Sequence, residues 1–234
     1  MPDVATQLPG GTLEPREIYE RFSAVLFDMD GVLTTTARLH SAAWQQTFDA
    51  FLERWDEEHG TETPRFSPAE DYLRYVDGKP RYDGVRDFLA SRNIVLEEGT
   101  PDSPPDEETV GGIGNAKQAL VETALHTEGV EAFPGSVAWV RELQARGLAT
   151  AVVSSSQNAA EVLDAAGIAD LFDVRVDGAL AVELKLPGKP RPDTFLEAAR
   201  RLGVEPVDAV VVEDALAGVG AGRAGGFGLV IGVD

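Results

Sequence analysis

From Phe133 onward, short uninterrupted apolar runs alternate with segments of helical periodicity, and few folds accept that order. The strands predicted in this part are 148–153, 172–176, 207–212 and 229–231, and the helices are 136–146, 159–166 and 192–202. Wholly apolar strands separated by helices are typical of a parallel sheet that is covered on both faces. The pattern therefore predicts an α/β fold.

One further apolar run, 23–27, lies far ahead of these strands and is followed by Asp28 and Asp30. A helical pattern begins near Thr36, and the residues up to about 132 are predicted to be mostly helical. The simplest account is a Rossmann-like parallel-sheet core over 1–35 and 133–234. A helical cap domain over 36–132 is then inserted after the first strand.

Three segments rich in glycine or proline invite local predictions. Residues 1–16 are expected to form a loose leader, and the acidic stretch 97–114 a solvated surface loop. Residues 220–225 fit the glycine spacing of dinucleotide-binding proteins, but no strand directly precedes them. We expect these glycines to reduce the side-chain bulk of a helix that packs on the sheet, and to mark the end of that helix.

Composition excludes several classes of function. The chain of 234 residues has a formal net charge of −20, which disfavours nucleic acid and anionic lipid as partners. It has no cysteine, which excludes disulfides, cysteine-ligated metals and thiol nucleophiles. We see neither a signal peptide nor an apolar stretch of the roughly 20 residues that span a bilayer. We therefore expect a cytoplasmic protein with no membrane partner.

Polar residues follow the predicted strands, where ligands of parallel sheets bind. They are Asp28, Asp30, Ser154, Glu213 and Asp214, and Lys189 lies in a turn before a helix. Carboxylates can hold Mg²⁺, and the metal, the lysine and the hydroxyl can balance the charge of a transferring phosphoryl group. A carboxylate can also serve as the nucleophile. Each of these motifs is common by itself; an Asp-x-Asp pair, for example, is usually a solvated pair without a function. Their joint occurrence at strand ends predicts Mg²⁺-dependent phosphoryl transfer.

These motifs resemble those of the haloacid dehalogenase superfamily over nearly the whole chain. The resemblance implies that Asp28 is the nucleophile and Asp30 the general acid and base. It implies that Ser154 and Lys189 contact the transferring phosphate, and that the helical insert is a mobile cap.

The same resemblance implies a Mg²⁺ cofactor. Its expected ligands are Asp28, the backbone carbonyl of Asp30 and Asp214, with Glu213 beside the metal.

Within the superfamily, the spacing of Thr36, His40 and Trp44 after Asp28 is similar to that of the β-phosphoglucomutases. The segments 78–81, 115–117 and 154–158 are similar too. The resemblance implies that Arg81 and Lys117 grip a distal phosphate, and that Thr36 and His40 lie at the hinge. The substrate-binding residues expected in this way are Thr36, His40, Trp44, Arg81, Lys117, Ser155, Ser156 and Asn158. Trp44 is equally well explained as a core residue, and Arg81 and Lys117 as exposed charges.

The chain departs from that pattern at Thr35, Gln157 and Gly84, where the mutases carry an acidic residue, a lysine and a serine. It also ends at Asp234, earlier than the family usually does, so a final helix is expected to be missing. The main hypothesis is a monomeric mutase that moves phosphate between C1 and C6 of glucose through a bisphosphate. A sugar-phosphate phosphatase is the second hypothesis, and a catalytically silent binding module is the third.

Overall fold

A computed structural model of the chain describes residues 7–8, 11–12 and 15–233. The strands are β1 (Gln7–Leu8), β2 (Gly11–Thr12), β3 (Ala24–Phe27), β4 (Ala149–Val153), β5 (Val174–Val176), β6 (Ala209–Glu213) and β7 (Leu229–Gly232). The α-helices are α1 (Pro15–Arg21), α2 (Ala37–His59), α3 (Arg81–Ser91), α4 (Val110–Glu128), α5 (Pro134–Ala145), α6 (Ala159–Ala165), α7 (Gly178–Glu183), α8 (Asp193–Leu202) and α9 (Leu216–Ala224). Short turns of other helical types lie at Tyr72–Val76, Ala169–Leu171 and Pro206–Asp208.

Five parallel strands form the central sheet in the order β5-β4-β3-β6-β7. Phe27 at the end of β3 pairs with Val152 of β4 on one side and with Val212 of β6 on the other. The residues that follow these three strands therefore meet at one edge. This is the point where the strand order reverses, and ligands bind there in open α/β sheets.

Both faces of the sheet are buried, as the apolar runs predict. Val25 and Phe27 point into one apolar cluster, while Ala24 and Leu26 point into the other. Adjacent residues of a strand face opposite sides, so a strand buried on both faces is apolar throughout. The predicted α/β fold is confirmed.

The helices between β3 and α5 enclose a third apolar cluster, in which Trp44, Phe48 and Phe88 are buried. Phe48 stacks on Trp44 and Phe88 with ring centroids 4.9 and 3.9 Å apart. This inserted helical unit therefore has a core of its own, and the predicted cap is confirmed as part of the fold. The boundaries at 36 and 132 stay a prediction.

The two chain segments that join the cap to the core run side by side. The backbone N–H of Thr35 donates to the carbonyl of Glu131 at 3.0 Å, and that of Phe133 donates to Leu33 at 2.8 Å. Two hydrogen-bonded chain segments therefore connect the cap to the core. Within the described part of the chain, no helix has the length and apolar character needed to cross a membrane.

The predicted surface loop over 97–114 is wrong at its C-terminal end. Helix α4 begins at Val110, and residues 110–114 are buried. A Cβ on Gly111 would lie 2.5 Å from the carbonyl oxygen of Thr100, and one on Gly112 would lie 2.1 Å from that of Glu107. These glycines allow the helix to approach the preceding loop closely, which composition alone does not distinguish from a flexible segment.

Two other local predictions have different outcomes. Most of the expected leader 1–16 lies outside the described residues; within it, β1 pairs antiparallel with β2, and α1 begins at Pro15. The glycine segment 220–225 does form the end of a helix on the sheet, because Gly222 faces Val211 and Val230, and α9 ends at Gly225.

Candidate active site

Lys189 is the central cation of the site and is only 1% exposed. Its ammonium donates to Asp28 Oδ1 at 2.5 Å, to Glu213 Oε1 at 2.6 Å and to the carbonyl of Val153 at 3.0 Å. Asp28 extends β3 and Glu213 ends β6, so two neighbouring strands position both carboxylates. The two carboxylates raise the pKa of Lys189, which stays protonated despite its burial.

Asp30 lies two residues beyond Asp28, after the backbone begins to turn. Thr36 donates its hydroxyl to Asp30 Oδ1, and Ser154 Oγ lies 3.5 Å from Oδ2. Burial raises the pKa of Asp30, while the hydrogen bond from Thr36 opposes that rise. Gly31 then adopts φ +91°, where a Cβ would lie 1.9 Å from Asp214 Oδ2. A glycine is needed there both for the turn and for the close approach of Asp214.

His40 and Lys117 connect the cap to Asp30. Lys117 Nζ lies 2.7 Å from His40 Nδ1, and His40 Nε2 lies 3.5 Å from Asp30 Oδ1. Burial lowers the pKa of His40 well below its usual value and that of Lys117 to about 7. A neutral imidazole that accepts at Nδ1 carries its proton on Nε2, which lies near the Asp30 carboxylate but forms no hydrogen bond with it.

Trp44 fits both of its sequence interpretations. It is only 3% exposed and stacks in the cap core, and its ring also lies 5.1 Å below the ammonium of Lys117. It thereby supports Lys117 from the apolar side.

The loop before α3 closes the cap onto the core. Ser155 donates its hydroxyl to the carbonyl of Gly78 at 2.7 Å, and a Cβ on Gly188 would lie 2.1 Å from Pro80. Arg81 Nη2 lies 3.4 Å from Gln157 Oε1 and 3.1 Å from the Tyr82 hydroxyl.

Between cap and core lies a cavity of about 470 Å³. Of the predicted residues, it is lined by Asp28, Asp30, His40, Trp44, Arg81, Lys117, Ser154, Ser155, Ser156 and Asp214. Thr36, Lys189 and Glu213 lie behind this lining, where Thr36 bonds Asp30, Lys189 bonds Asp28, and Glu213 bonds Lys189. Asn158 does not line the cavity; its Oδ1 accepts a hydrogen bond from Gln118 at 2.7 Å.

Asp77 lines the cavity and was not predicted from the sequence. Asp77 is buried at the end of the turn that Tyr72 begins, and its backbone N–H donates to the Tyr72 carbonyl at 2.9 Å. Burial raises the pKa of Asp77 to about 6, with Glu213 and Asp30 adding to the rise. Asp77 directly precedes the Gly78 to Arg81 segment, and that adjacency is the signal that was available.

The chain's own carboxylates fit a divalent cation. One oxygen from each of Asp28, Glu213 and Asp214 lies within 4.8 Å of the others, and Lys189 is the ammonium bonded among them. Burial and the neighbouring Asp28 raise the pKa of Asp214 to about 8. The excess negative charge is what a hard cation would neutralise.

Glu213 differs from the other two carboxylates of this group. Its Oε1 accepts from Lys189 and its Oε2 accepts from the backbone N–H of Ala215 at 2.8 Å. A Cβ on Gly218 would lie 1.6 Å from Oε1, so the carboxylate is also enclosed by α9. Glu213 therefore fits the role of holding Lys189 better than that of a direct ligand.

Comparisons with known proteins agree with this arrangement. The haloacid dehalogenase-like hydrolase family matches residues 22–226. A β-phosphoglucomutase of Mycobacterium bovis is 49% identical over 92% of this chain and 82% of its own length. The hexitol phosphatase A of Escherichia coli is 28% identical over 88% of this chain and 81% of its own. The crystal structure of a β-phosphoglucomutase from Clostridium difficile has a TM-score of 0.70 at 25% identity and covers 91% of this chain and 85% of that one.

The match to the family spans most of the chain, and the fold has the same Rossmann-like core and cap. The chain therefore belongs to the haloacid dehalogenase-like hydrolases and is a phosphotransferase or phosphatase of that family.

Proposed function

We propose that the chain is a Mg²⁺-dependent β-phosphoglucomutase, which converts β-glucose 1-phosphate to glucose 6-phosphate through an aspartyl phosphate on Asp28. The observation that carries the proposal is one cavity between cap and core with groups able to bind phosphate on both sides. Lys189 and Ser154 lie on the core side, and Arg81 lies on the cap side. A mutase must hold two phosphates at once, which a simple phosphatase need not do. The identity of 49% to a mycobacterial β-phosphoglucomutase supports the same activity.

Asp28 is the proposed nucleophile. Lys189 bonds one carboxylate oxygen, Oδ1, which fixes the side chain and leaves Oδ2 to attack phosphorus. As the new P–O bond to Asp28 forms, the bond from phosphorus to the sugar oxygen breaks. Burial raises the pKa of Asp28 to about 6, so at neutral pH the carboxylate is largely ionised yet poorly solvated, as a nucleophile should be.

Asp30 is the proposed general acid and base. In the first step it gives a proton to the departing sugar oxygen, and in the second it takes one from the attacking hydroxyl. Its raised pKa favours the protonated form that the first step needs. The hydrogen bond from Thr36 orients the carboxylate, and His40 lies beside it, 3.5 Å from Oδ1.

Asp28, the backbone carbonyl of Asp30 and Asp214 would hold Mg²⁺, with Glu213 beside them. When bound, the ion would supply positive charge that offsets the negative charge of the nucleophile and of the transferring phosphate. Asp214 approaches the site because Gly31 leaves room for its carboxylate.

Arg81 and Lys117 would hold the sugar end and its second phosphate from the cap. Lys117 lies against His40, close to Asp30, whereas Arg81 lies farther out beside Gln157. The hydrogen bond from Ser155 to Gly78 keeps the cap over the substrate and excludes water, which favours transfer to a sugar hydroxyl. We expect the enzyme to act in the cytoplasm as a monomer.

The test supplies β-glucose 1-phosphate with Mg²⁺ and a trace of the 1,6-bisphosphate, and follows both glucose 6-phosphate and free phosphate. Glucose 6-phosphate without matching free phosphate is the expected result. Asp28→Asn is the matched control and is expected to abolish the product. Free phosphate alone would contradict the mutase.

One observation favours the alternative of a sugar-phosphate phosphatase. The partner of Arg81 on the core side is the neutral Gln157, where the resemblance to the mutases has a lysine. A second phosphate would therefore find less positive charge there. The relatives of 28% identity include phosphatases of hexitol phosphate and fructose 1-phosphate. Free phosphate release from several sugar phosphates, with no isomer formed, would establish this alternative.

A further inference from the structure

The chain contains few lysines, and all of them lie in the cavity lining or directly behind it. The four lysines are Lys79, Lys117, Lys185 and Lys189. The first three line the cavity, and Lys189 bonds Asp28 directly behind it. In a protein with a net charge of −20, this clustering brings all of the lysine side chains to the cavity, where they offset part of the negative charge of its carboxylates.

Lys185 differs from the others in having no partner. Lys79 pairs with Asp87 at 2.6 Å, Lys117 contacts His40, and Lys189 is enclosed by two carboxylates. All four lysines lie in the described part of the chain, and there the Lys185 ammonium has no ion pair or hydrogen bond. It is an exposed cation at the cavity mouth that the structure of the protein itself does not use.

Lys185 has a backbone conformation that lysine rarely adopts. Helix α7 ends in a Schellman motif, in which Leu186 N–H donates to the Ala181 carbonyl at 2.8 Å and Lys185 N–H to that of Val182 at 3.1 Å. Lys185 occupies the left-handed position with φ 55°, which glycine normally fills because other residues are strained there. The equivalent position after α8 is Gly203, with φ 72°. The chain thus keeps a lysine where a glycine would be less strained.

The segment that carries Lys185 faces the cap. Gly188, three residues later, contacts Pro80, which directly precedes Arg81. Lys185 and Arg81 therefore lie on two walls of one cavity that meet at this contact.

We propose that Lys185 is a substrate-binding residue that holds the outer phosphate of a doubly phosphorylated substrate at the cavity mouth. The proposal rests on the proposed function, since it assumes a sugar bisphosphate as the ligand. Lys185 supplies the positive charge that Gln157 does not. The strain of its left-handed backbone is retained because the side chain contributes to binding.

The experiment uses the Asp28→Asn protein, in which covalent transfer is blocked, with Mg²⁺ present. Calorimetry measures the binding of glucose 1,6-bisphosphate and, separately, of inorganic phosphate, which occupies the inner position alone. Lys185→Gln is added to this background to remove the charge. Arg223→Gln, on the exposed side of α9 and outside the cavity lining, removes the same charge and is the matched control.

Lys185→Gln is expected to weaken bisphosphate binding by about three- to tenfold, the range of a single partly exposed ion pair. Phosphate binding stays unchanged, and the control binds both ligands as the parent does. Lys185→Gly is expected to weaken the bisphosphate equally while its melting temperature stays the same or rises by up to about 3 °C. If Lys185 had only a structural role, its replacement would not weaken bisphosphate binding while leaving the melting temperature unchanged or higher.

Equal bisphosphate binding by Lys185→Gln and its parent would overturn the proposal. An equal loss of bisphosphate affinity in the Arg223→Gln control would overturn it as well, because the effect would then come from the net charge of the protein rather than from Lys185. A parent that binds phosphate but not the bisphosphate would show that no outer site exists. Turnover by the protein with Asp28 intact is measured separately, so failure of the proposed function is distinguished from failure of the Lys185 assignment.

Discussion

Replacing Lys189 by methionine tests whether its ammonium is what stabilises the buried carboxylates of Asp28 and Glu213. The Lys189 ammonium lies 4.8 Å from the centre of the Phe195 ring. Methionine keeps an apolar side chain of similar length beside that ring but removes the charge between Asp28 and Glu213. Both carboxylates are less than 10% exposed, so each loses its neutralising positive charge without becoming hydrated. Breaking a buried ion pair by removing one partner costs about 3–5 kcal/mol. We expect Lys189→Met to lose about that much of its free energy of unfolding at pH 8.

The assay is urea unfolding with a chelator present, read by tryptophan fluorescence. The loss is expected to shrink as the pH falls, because the orphaned carboxylates then become neutral in the folded state. Adding Glu213→Gln to Lys189→Met should recover part of the stability at pH 8 but none of the activity. Lys79→Met, which breaks the more exposed pair with Asp87, is the control and should cost at most about 1 kcal/mol.

A Lys189→Met protein within 1 kcal/mol of the parent at pH 8 would refute this reasoning. So would a loss that is the same at pH 5.5 and pH 8, because packing alone would then explain it.

Three further changes test other parts of the site. Arg81→Ala should lower kcat/KM for the bisphosphate about 10- to 100-fold, the value of one charge-assisted hydrogen bond, and an unchanged kcat/KM would remove Arg81 from the substrate site. Gly31→Ala should weaken Mg²⁺ binding in a titration, because its Cβ would lie 1.9 Å from Asp214 Oδ2; wild-type affinity would contradict this. In the metal-free protein, burial raises the pKa of Asp214 from 3.8 to about 8, so the native state binds more protons than the unfolded state between these values. Its melting temperature should therefore fall as the pH rises from 4 to 8, less steeply in Asp214→Asn, and equal slopes in the two proteins would contradict the assignment.

The sheet could be predicted because its strands are continuous apolar runs, a sequence pattern that tertiary packing does not alter. A strand such as β6, buried on both faces, must be apolar throughout, and it was recognised within two residues of its observed bounds. The positions of Asp28 and Asp214 after β3 and β6 then follow from the parallel topology. The same logic failed for residues 110–114, where glycine allows close packing rather than flexibility.

The cap side of the cavity could be predicted only in part. Arg81 and Lys117 were placed by resemblance, and both line the cavity. Asp77 and Lys185 were missed because their importance depends on how the cap meets the core. Gly188 and Pro80, which make that contact, are far apart in sequence, and no periodicity relates them.

The central claim is that Asp28 itself accepts the phosphoryl group. The most direct test is to mix the protein with Mg²⁺ and radioactively labelled sugar bisphosphate, quench in acid within milliseconds, and map the labelled peptide. The account predicts an acid-stable, hydroxylamine-sensitive label on the peptide that contains Asp28, and none in Asp28→Asn. Label on another residue, or turnover that persists in Asp28→Asn, would contradict it.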